Sequence, residues 1–415
     1  MRLLVISPHF APDIAPTGSI VTELVQNWCE QGHQVHVITS IPWYQNHEIA
    51  AEWKNCFIKR TTNGSVKITR VYPFPTKKSN LFFRGLGFLS FSFFVSIVSM
   101  FSKGPFDAVY ALSPPITLGA AGKIASIRHR CPLIFNVQDV FPDAAIETGV
   151  LRSKLLIRLA KTFEKISYKS SELITVLSED MRDNVTLKLS DVKKIPVVSV
   201  IPNFAFSKFF HTEEENQYRK ENNLEGKIVA MYAGNLGYSQ PLELIVSSAK
   251  AHSDNESLIY VVNGGGVKTD YIKREAKIMK NLVFVEYQPI ERLPQVLSSA
   301  DIHLVMLKPG LGNVSVPSKI YNIFASGKPV VVSVDSGTEL ERLVLESEAG
   351  FVVAPDKPDA FHEAVKKLSD DSSLRNKMGH SAQIEAKKWY SAETVSGLYI
   401  ERIKELKTNN NESLQ

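Results

Sequence analysis

Short apolar runs alternate with segments of helical periodicity along almost the whole chain. Residues 3–7 form the first such run, and after them apolar residues recur every three or four positions until Gly32. This spacing predicts a helix that ends before the glycine, and residues 35–39 then form a second predicted strand. Strands that alternate with helices are typical of a parallel sheet covered on both faces. The predicted fold class is therefore α/β.

One hairpin interrupts this alternation in the first half of the chain. Asn63-Gly64 separates the strand-like runs 57–60 and 66–69, and this dipeptide favours a type I′ turn. The remaining predicted strands are short apolar runs followed by loops and helical patterns: residues 108–112, 133–137, 173–177, 228–233, 258–262, 283–285, 302–306 and 329–333. The run 197–201, which Pro202-Asn203 closes, leads out of the first half.

The length of 415 residues and the 44% apolar content predict two domains. We place the boundary near the run 197–201 and predict two doubly wound, Rossmann-like domains, residues 1–200 and 201–389. A helix over about 390–407 is expected to pack back on the first domain, and the polar tail 408–415 to be disordered. Two such sheets in tandem would present the carboxyl ends of their strands to each other across a cleft, where ligands bind.

The net charge of +5 is unevenly distributed. Residues 1–200 carry 23 Lys and Arg against 15 Asp and Glu, whereas the later residues carry 25 against 28. There is no zinc-finger, helix-turn-helix or RNA-binding signature and no basic stripe with interleaved aromatics, so nucleic acid is not a predicted partner. An anionic membrane surface is the partner that this asymmetry favours.

The uncharged stretch 85–102 lies at the lower limit of length for a membrane span. Ser92, Ser96 and Ser99 fall on one helical face, and the stretch sits between strands of one sheet. We therefore expect either a helix packed in the core or one that lies at the membrane interface. Met1 and Arg2 lead directly into the first strand without a leader-like segment, which predicts a cytoplasmic protein, peripheral at the inner face of the membrane.

The first strand-to-helix loop, residues 8–18, is too long and proline-rich for a dinucleotide-binding turn, which disfavours NAD and FAD. Gly18 opens a helix whose free backbone amides would face a diphosphate. We interpret the loop as the rim where a phosphate-bearing donor meets an acceptor, and we predict that His9 and Asp13 bind the acceptor. A merely structural helix start is the alternative.

The loop after strand 133–137 places an amide and a carboxylate, Gln138 and Asp139, where a polar catalytic pair belongs. Asp139 would orient an acceptor hydroxyl or, alternatively, cap the next turn. Asp143 in the same loop is a further candidate for acceptor binding.

The second domain begins with Tyr232-Ala233-Gly234-Asn235-Leu236-Gly237, whose glycines allow backbone to approach a diphosphate closely. Asn235 and Gly237 are therefore donor-binding candidates. The loop has no Lys or Arg, and Pro317-Ser318-Lys319 would supply the missing charge. A lysine in the first turn of a helix is unfavourable for the helix dipole, which argues for an anion nearby. A solvated surface lysine is the alternative.

These motifs together resemble glycosyltransferase family 4, in particular the bacterial branch that builds exopolysaccharide and O-antigen units, similar to colanic-acid and fucosaminyl-type transferases. The resemblance spans nearly the whole chain. It rests on the loop ending in Thr17-Gly18, on Ser113-Pro114-Pro115, Gln138-Asp139-Val140-Phe141-Pro142-Asp143, Ile201-Pro202-Asn203, the loop 232–237, Ala300-Asp301, and Pro317-Ser318-Lys319 through Gly327-Lys328-Pro329.

The resemblance implies a GT-B fold and retaining transfer of a hexose, an N-acetylhexosamine or a deoxy-amino sugar. The donor would be a nucleoside-diphosphate sugar, and the acceptor a saccharide or a polyprenyl-diphosphate-linked sugar. It implies no cofactor and no required metal, in agreement with the lack of an Asp-x-Asp motif. A nucleotide-sugar epimerase on the same fold and a non-catalytic scaffold subunit remain alternatives.

Two positions depart from the family pattern. Family members carry two glutamates eight positions apart around the donor, whereas Val314 and Asn322 stand there in this chain. An amide accepts from ribose hydroxyls less well than a carboxylate. Glu339 matches another family acid near the donor and would compensate, although it is also an ordinary first-turn glutamate. Gln288 matches the region that meets the base.

Overall fold

The structure is a computed structural model that describes residues 1–412 except 14, 45–47, 50, 74–80, 193–194 and 211–215. The chain divides into two compact units. The first comprises Met1–Pro202 together with Ala392–Gln415, and the second comprises Asn203–Ser391. Each unit is built on its own sheet, and the two are described separately.

The first unit contains an eight-stranded sheet in the order β3-β4-β2-β1-β5-β6-β7-β8. Neighbouring strands are parallel except at the β3–β4 hairpin. The central strands are buried along their whole length except for the half-buried Arg2 at the start of β1, which explains why they appear in the sequence as continuous apolar runs. The strands are β1 Arg2–Ile6, β2 Gln34–Ser40, β3 Ile58–Asn63, β4 Val66–Val71, β5 Ala108–Ser113, β6 Leu133–Val137, β7 Leu173–Val176 and β8 Val197–Val200.

Helices connect these strands and cover the sheet. They are α1 Pro16–Glu30, α2 Leu81–Met100, α3 Leu118–His129, α4 Asp143–Glu147, α5 Lys154–Lys169 and α6 Glu179–Lys188. A short 3-10 turn also spans Ala51–Trp53. The first helix begins with Pro16, whose fixed φ suits the first helical turn, and Gly32 follows it with a φ of +84°.

The hairpin forms where it was predicted, but its turn is shifted by one residue. Asn63 pairs directly with Val66, so the two loop residues are Gly64 and Ser65. Only Gly64 has a positive φ, +56°. Glycine with positive φ at the first central position alone is the pattern of a type II′ turn, so the expected type I′ turn over Asn63-Gly64 was wrong.

The second unit contains a six-stranded parallel sheet in the order β11-β10-β9-β12-β13-β14. Its strands are β9 Ile228–Asn235, β10 Leu258–Gly265, β11 Leu282–Val285, β12 Ile302–Met306, β13 Val330–Ser333 and β14 Gly350–Val353. The last of these, an edge strand paired with β13, was not predicted.

The helices of the second unit surround this sheet. They are α7 Gln217–Glu221, α8 Glu243–Ala251, α9 Thr269–Ile278, α10 Leu293–Ser298, α11 Lys319–Ala325, α12 Glu339–Glu346, α13 Pro358–Asp370 and α14 Ser372–Trp389. Two 3-10 turns span Ser207–Phe210 and Ile290–Arg292. An apolar core packs between the sheet and helices α8 and α13.

The last helix, α15, spans Ala392–Glu412 and packs on α1 within the first unit. The buried Trp28 Nε1 donates to Ser396 O at 3.1 Å, and the Trp28 and Tyr399 rings meet edge to face. The helix extends well beyond residue 407, so the segment through Glu412 is not the disordered tail that was expected. The remaining residues, 413–415, lie outside the described residues.

The uncharged stretch 85–102 is mostly helix α2. Ser92 and Ser99 are buried, and Ser92 Oγ lies 2.7 Å from Thr117 Oγ1 beside α3. Its serine face therefore packs on the protein. Over the described part of the chain, the structure contains no helix that is both long and apolar enough to span a membrane.

Candidate functional site

The loop after β1 is fixed by a buried pair, His9 and Asp13. His9 Nδ1 donates to Asp13 Oδ2 at 2.6 Å, and both side chains are buried. The other carboxylate oxygen accepts from the backbone N–H groups of Trp43 and Tyr44, at 3.2 and 3.0 Å. Asp13 thus ties the β1 loop to the segment after β2. Both residues were predicted to bind an acceptor, and the structure shows them holding the loop that would do so.

Gly18 lies in the first turn of α1, as predicted. A Cβ at this position would lie 2.9 Å from the His9 Cβ and 3.3 Å from the His9 carbonyl carbon. The glycine therefore allows the helix to approach the His9 loop closely. This contact explains the residue without a ligand, and its proposed role toward a diphosphate stays a prediction.

Arg70 is a residue that contacts this loop and that the sequence did not reveal. It lies on β4, it is buried, and its guanidinium donates to the carbonyls of Phe10 and Ser40, at 3.4 and 3.3 Å, and to that of Ala11. Burial lowers the pKa of Arg70 to about 10, although Asp13 acts in the opposite direction. The guanidinium thus holds the backbone of the β1 loop from a strand some sixty positions away.

Gln138 lies at the carboxyl end of β6 in a buried polar network. Its Nε2 donates to Asn136 Oδ1 at 2.7 Å, and Asn136 Nδ2 donates to Thr175 Oγ1 and to the hydroxyl of Tyr399, both at 2.9 Å. The network connects the β6 loop to helix α15. Gln138 is therefore fixed by the interior, and its predicted catalytic role is untested by this geometry.

Asp139 and Asp143 have different surroundings. Asp139 is half-buried directly after Gln138, and its carbonyl accepts from Phe141 N at 2.9 Å. Asp143 begins α4 and forms an ion pair with Lys188 Nζ at 2.7 Å. Lys188 Nζ also contacts the buried Glu164 at 2.6 Å. The ion pair attaches α4 to α6, and the predicted role of Asp139 toward an acceptor hydroxyl stays a prediction.

In the second unit, β9 and β10 end side by side in glycines. Gly234, Gly264 and Gly266 have φ values of +142°, +156° and +153°, which disfavour other residues. A Cβ at Gly266 would lie 2.7 Å from Leu236 O, and there is no room for one at Gly264 against the Gly234 backbone. The sequence pointed to the β9 loop but not to the run 264–266 that packs beneath it. Two adjacent strand ends therefore expose backbone at the same edge of the sheet.

Asn235 and Gly237 lie in this β9 loop. Asn235 is exposed at the strand end, and its carbonyl accepts from the Tyr232 hydroxyl at 2.7 Å. Gly237 is buried, and its N–H donates to Gln240 Oε1 at 3.1 Å. The amide of Gly237 is thus already bonded within the loop. The side chain of Asn235 is the better placed of the two to meet a ligand.

Lys319 is the first residue of α11. The residue is half-buried, and its Nζ is removed from solvent against the β9 loop. Its Nζ lies 3.6 Å from the centroid of the Tyr232 ring and has no hydrogen-bond partner among the described residues. A Cβ on Gly234 would lie 3.9 Å from Lys319 Cδ and 4.0 Å from Nζ. The lysine therefore reaches the glycine-rich strand end, and the interpretation of it as a solvated surface lysine is wrong.

The environment of Lys319 disfavours its charge. Burial lowers its pKa to about 7. A buried ammonium without a hydrogen-bond partner is costly, and the face of an aromatic ring offsets only part of this cost. An anion placed between Lys319 and the backbone of the β9 loop would supply the missing partner.

Ser318 precedes Lys319 at the start of α11, and Asn322 follows it on the helix. The helix begins two residues after Pro317, with Ser318 as its N-cap residue but without a side-chain capping bond. Asn322 is one turn further, and its Oδ1 accepts from Phe206 N at 3.0 Å. The amide that replaces the family glutamate thus anchors the backbone of the segment before the 3-10 turn Ser207–Phe210.

Gln288 and Glu339 are the remaining predicted donor residues. Gln288 is half-buried and bonded within its loop, since it donates to Glu286 O at 3.2 Å and accepts from Arg292 at 3.1 Å. Glu339 begins α12 and pairs with Arg342 at 3.0 Å. Burial raises the pKa of Tyr321 on α11, and the nearby Tyr390 and the Glu339 carboxylate add to this effect. Glu339 is therefore both a first-turn glutamate and a neighbour of the α11 region.

No group of three or more His, Cys, Asp or Glu residues is arranged to hold a metal ion in the part of the chain that the structure describes. The polar groups at the strand ends are amides, a lysine and backbone N–H groups, and these suit an anionic ligand.

Two known protein families match consecutive parts of the chain. Residues 17–203 match the "Glycosyl transferase 4-like domain", and residues 213–385 match "Glycosyl transferases group 1". Together the two matches cover most of both units. The chain belongs to glycosyltransferase family 4. The resemblance inferred from the motifs is thereby confirmed, and the protein is a glycosyltransferase.

A curated relative and two solved structures extend this result. The putative colanic acid biosynthesis glycosyl transferase WcaI of Escherichia coli is 24% identical to this glycosyltransferase over 378 residues, 88% of this chain and 91% of the relative. Sucrose-phosphate synthase from Thermosynechococcus elongatus superposes with a TM-score of 0.76 at 14% identity, over 99% and 100% of the two chains. HepE of Anabaena, in complex with UDP-glucose, gives 0.69 at 14% identity, over 98% and 100%. The fold class is GT-B, as predicted.

Proposed function

We propose that this glycosyltransferase transfers a hexose, an N-acetylhexosamine or a deoxy-amino sugar from a nucleoside-diphosphate sugar to a saccharide acceptor, with retention of anomeric configuration. The observation that carries the proposal is the Nζ of Lys319, which is buried beside the glycine-rich end of β9 and has no hydrogen-bond partner among the described residues. A diphosphate is the ligand that these groups suit, because it brings negative charge to an ammonium and acceptor oxygens to backbone N–H groups.

The donor would bind the second unit. Lys319 would contact the diphosphate, the backbone of the β9 loop and Asn235 would lie along it, and the loop that contains Gln288 would meet the base. The likeness to the HepE complex with UDP-glucose supports a nucleotide sugar as donor. Negative charge grows on the diphosphate as the glycosidic bond breaks, so Lys319 would stabilise the transition state more than the ground state.

The acceptor would bind the first unit. Asp139, with Gln138 fixed beside it, would orient the acceptor hydroxyl, and the loop held by His9 and Asp13 would form the rim of the acceptor site. A donor phosphate oxygen would take the proton of the attacking hydroxyl in a front-face displacement. The reaction would need no metal ion, since the charge on the leaving group is met by Lys319 and by backbone dipoles.

The pathway would be the synthesis of a bacterial surface polysaccharide, such as an exopolysaccharide or O-antigen, on a lipid-linked acceptor. The name of the Escherichia coli relative, a colanic acid transferase, supports this proposal. Helix α2 supports it independently, since Leu86, Leu89, Phe93, Ile97 and Met100 are exposed along one of its faces. We propose that the protein works at the inner face of the cytoplasmic membrane as a peripheral protein.

The first experiment is a thermal-shift screen of UDP-, GDP- and dTDP-linked sugars, because a ligand that binds only the folded state raises its melting temperature. The sugar that gives the largest shift is then incubated with polyprenyl-diphosphate-linked acceptors, with and without EDTA, and the anomeric configuration of the product is read by NMR. We expect transfer with retention in both conditions. Loss of transfer with EDTA would contradict the metal-free mechanism, and an inverted product would contradict retention.

A further inference from the structure

Helix α5, which the sequence did not single out, carries two solvent-facing stripes. The first is apolar and consists of Leu155, Leu159, Phe163 and Ile166, which recur every three or four positions and are exposed, Leu155 to 66%. An exposed apolar stripe of this length on a helix marks a surface that binds something apolar.

The second stripe is basic and lies beside the first. Lys154, Arg158, Lys161, Lys165 and Lys169 line one shallow groove along the helix. The helix contains one acid, Glu164, which is buried and bonded to Lys188 and Tyr168. Of the five cations, Lys165 is paired with Asp191. The outward surface of α5 is therefore cationic along one flank and apolar along the other.

Neighbouring helices extend this surface. Helices α2, α3 and α5 pack side by side in one layer on the sheet of the first unit. Gly119 of α3 leaves no room for a side chain against Ser167 of α5, so these two helices are in close contact. Ile127 on α3 is 68% exposed and Phe93 on α2 is 62% exposed. Apolar side chains thus project from all three helices of one layer.

We propose that this helix layer is the face with which the protein binds an anionic lipid bilayer, with α5 lying in the plane of the headgroups. An amphipathic helix with a basic flank and an apolar flank binds such an interface, because its apolar side chains enter the acyl boundary while its cations meet anionic headgroups. A second copy of the chain fits less well, since it would place like charges against each other. The inference rests on the proposed function only for the reason why the protein would bind a membrane, namely to reach a membrane-bound acceptor.

Sedimentation with vesicles tests the proposal without any substrate. The full chain is mixed at low salt with phosphatidylcholine vesicles with or without phosphatidylglycerol. We expect wild type to co-sediment with the anionic vesicles and to be released by salt. Lys154→Gln/Lys161→Gln should bind about twentyfold to thirtyfold more weakly, since one basic residue near an anionic surface is worth about a fivefold change. Leu155→Ser/Leu159→Ser should also reduce binding, and its loss should persist at low salt.

Matched controls lie in the second unit. Lys357→Gln/Lys377→Gln removes two exposed lysines, and Ile278→Ser removes a strongly exposed apolar residue. Both should bind vesicles like wild type, and circular dichroism should show every variant folded, since all these positions are exposed. Wild type that ignores anionic vesicles, or α5 variants that bind as well as wild type, would overturn the proposal. So would a wild-type dimer that the α5 substitutions dissociate.

A transfer assay separates this inference from the proposed function. With a water-soluble acceptor analogue, the α5 variants should turn over donor at the wild-type rate. Vesicle binding without any transfer would refute the proposed function and leave the membrane face intact. Transfer with no vesicle binding would refute the membrane face and leave the proposed function intact.

Discussion

Replacing Lys319 with methionine tests the donor site most directly. Methionine keeps most of the side-chain volume in the buried space beside Tyr232 and removes the ammonium. A charge-assisted contact is worth about 1.5–3 kcal/mol, so nucleoside-diphosphate affinity at pH 7 should fall about tenfold to 150-fold. Turnover should fall further, because charge on the departing diphosphate is greatest as the bond breaks.

The pH dependence of binding follows from the pKa of about 7 that burial gives Lys319 in the free protein. At pH 7 about half of the free protein molecules have a protonated Lys319. Protonating the rest when the nucleotide binds therefore weakens the free energy of binding by only about 0.4 kcal/mol. Above pH 7 each unit makes the ammonium about ten times rarer. The contribution of Lys319 is therefore present at low pH and is lost as pH rises through 7, with affinity falling about tenfold per unit. Lys319→Met should abolish this slope.

Stability should change in the opposite direction. A lysine with a depressed pKa destabilises the folded state at neutral pH, since the unfolded chain holds the proton more tightly. Lys319→Met should therefore raise the melting temperature at pH 7 while it weakens nucleotide binding. Calorimetric titration with UDP and GDP from pH 6.5 to 9, beside thermal melts, measures both effects. The exposed Lys357→Met is the control. Equal affinity and equal pH slope in wild type and Lys319→Met would refute the donor-site assignment.

Three further outcomes are expected. Asp139→Asn should lower turnover far more than donor affinity in steady-state kinetics, and an unchanged turnover would return Asp139 to a structural role. Asn322→Glu should strengthen nucleotide binding, as measured by calorimetry, and the lost hydrogen bond to Phe206 N should lower the free energy of unfolding by about 1 kcal/mol. Weaker nucleotide binding would show that the pocket is built around the amide. Truncation after Ser391 should expose Trp28, so limited proteolysis should digest the first unit before the second.

The strands of both sheets were predictable because most of them are buried on both faces. A parallel strand covered by helices must be apolar at every position, so it stands out in the sequence. The edge strand β14 was missed because it is only four residues long, it begins with Gly350 and two of its residues are half-buried. The hairpin was found, but its register depends on which residues pair across the strands. Local turn preference at Asn63-Gly64 was therefore insufficient to place the turn.

The site was predictable where its residues follow one another along the chain. The β9 loop and the Pro317-Ser318-Lys319 segment each form a recognisable motif. Arg70 and the glycines 264–266 were missed because their meaning depends on distant partners, the carbonyls of the β1 loop and the end of β9. The two stripes of α5 were missed for a related reason. Periodicity predicts an apolar face, but only the packed structure shows that this face is not covered.

Two cations whose charged groups are buried, Arg70 and Lys319, show why burial alone does not identify a binding residue. Both are removed from water at a strand-end loop, and burial lowers the pKa of each. Arg70 donates to three backbone carbonyls and lies near Asp13, so its hydrogen-bonding needs are met within the first unit. Lys319 has an aromatic ring and, among the described residues, no acceptor. Because an unmet buried charge is costly, it persists where a ligand supplies the partner. This difference, rather than charge or position in sequence, is why we propose a structural role for the arginine and donor binding for the lysine.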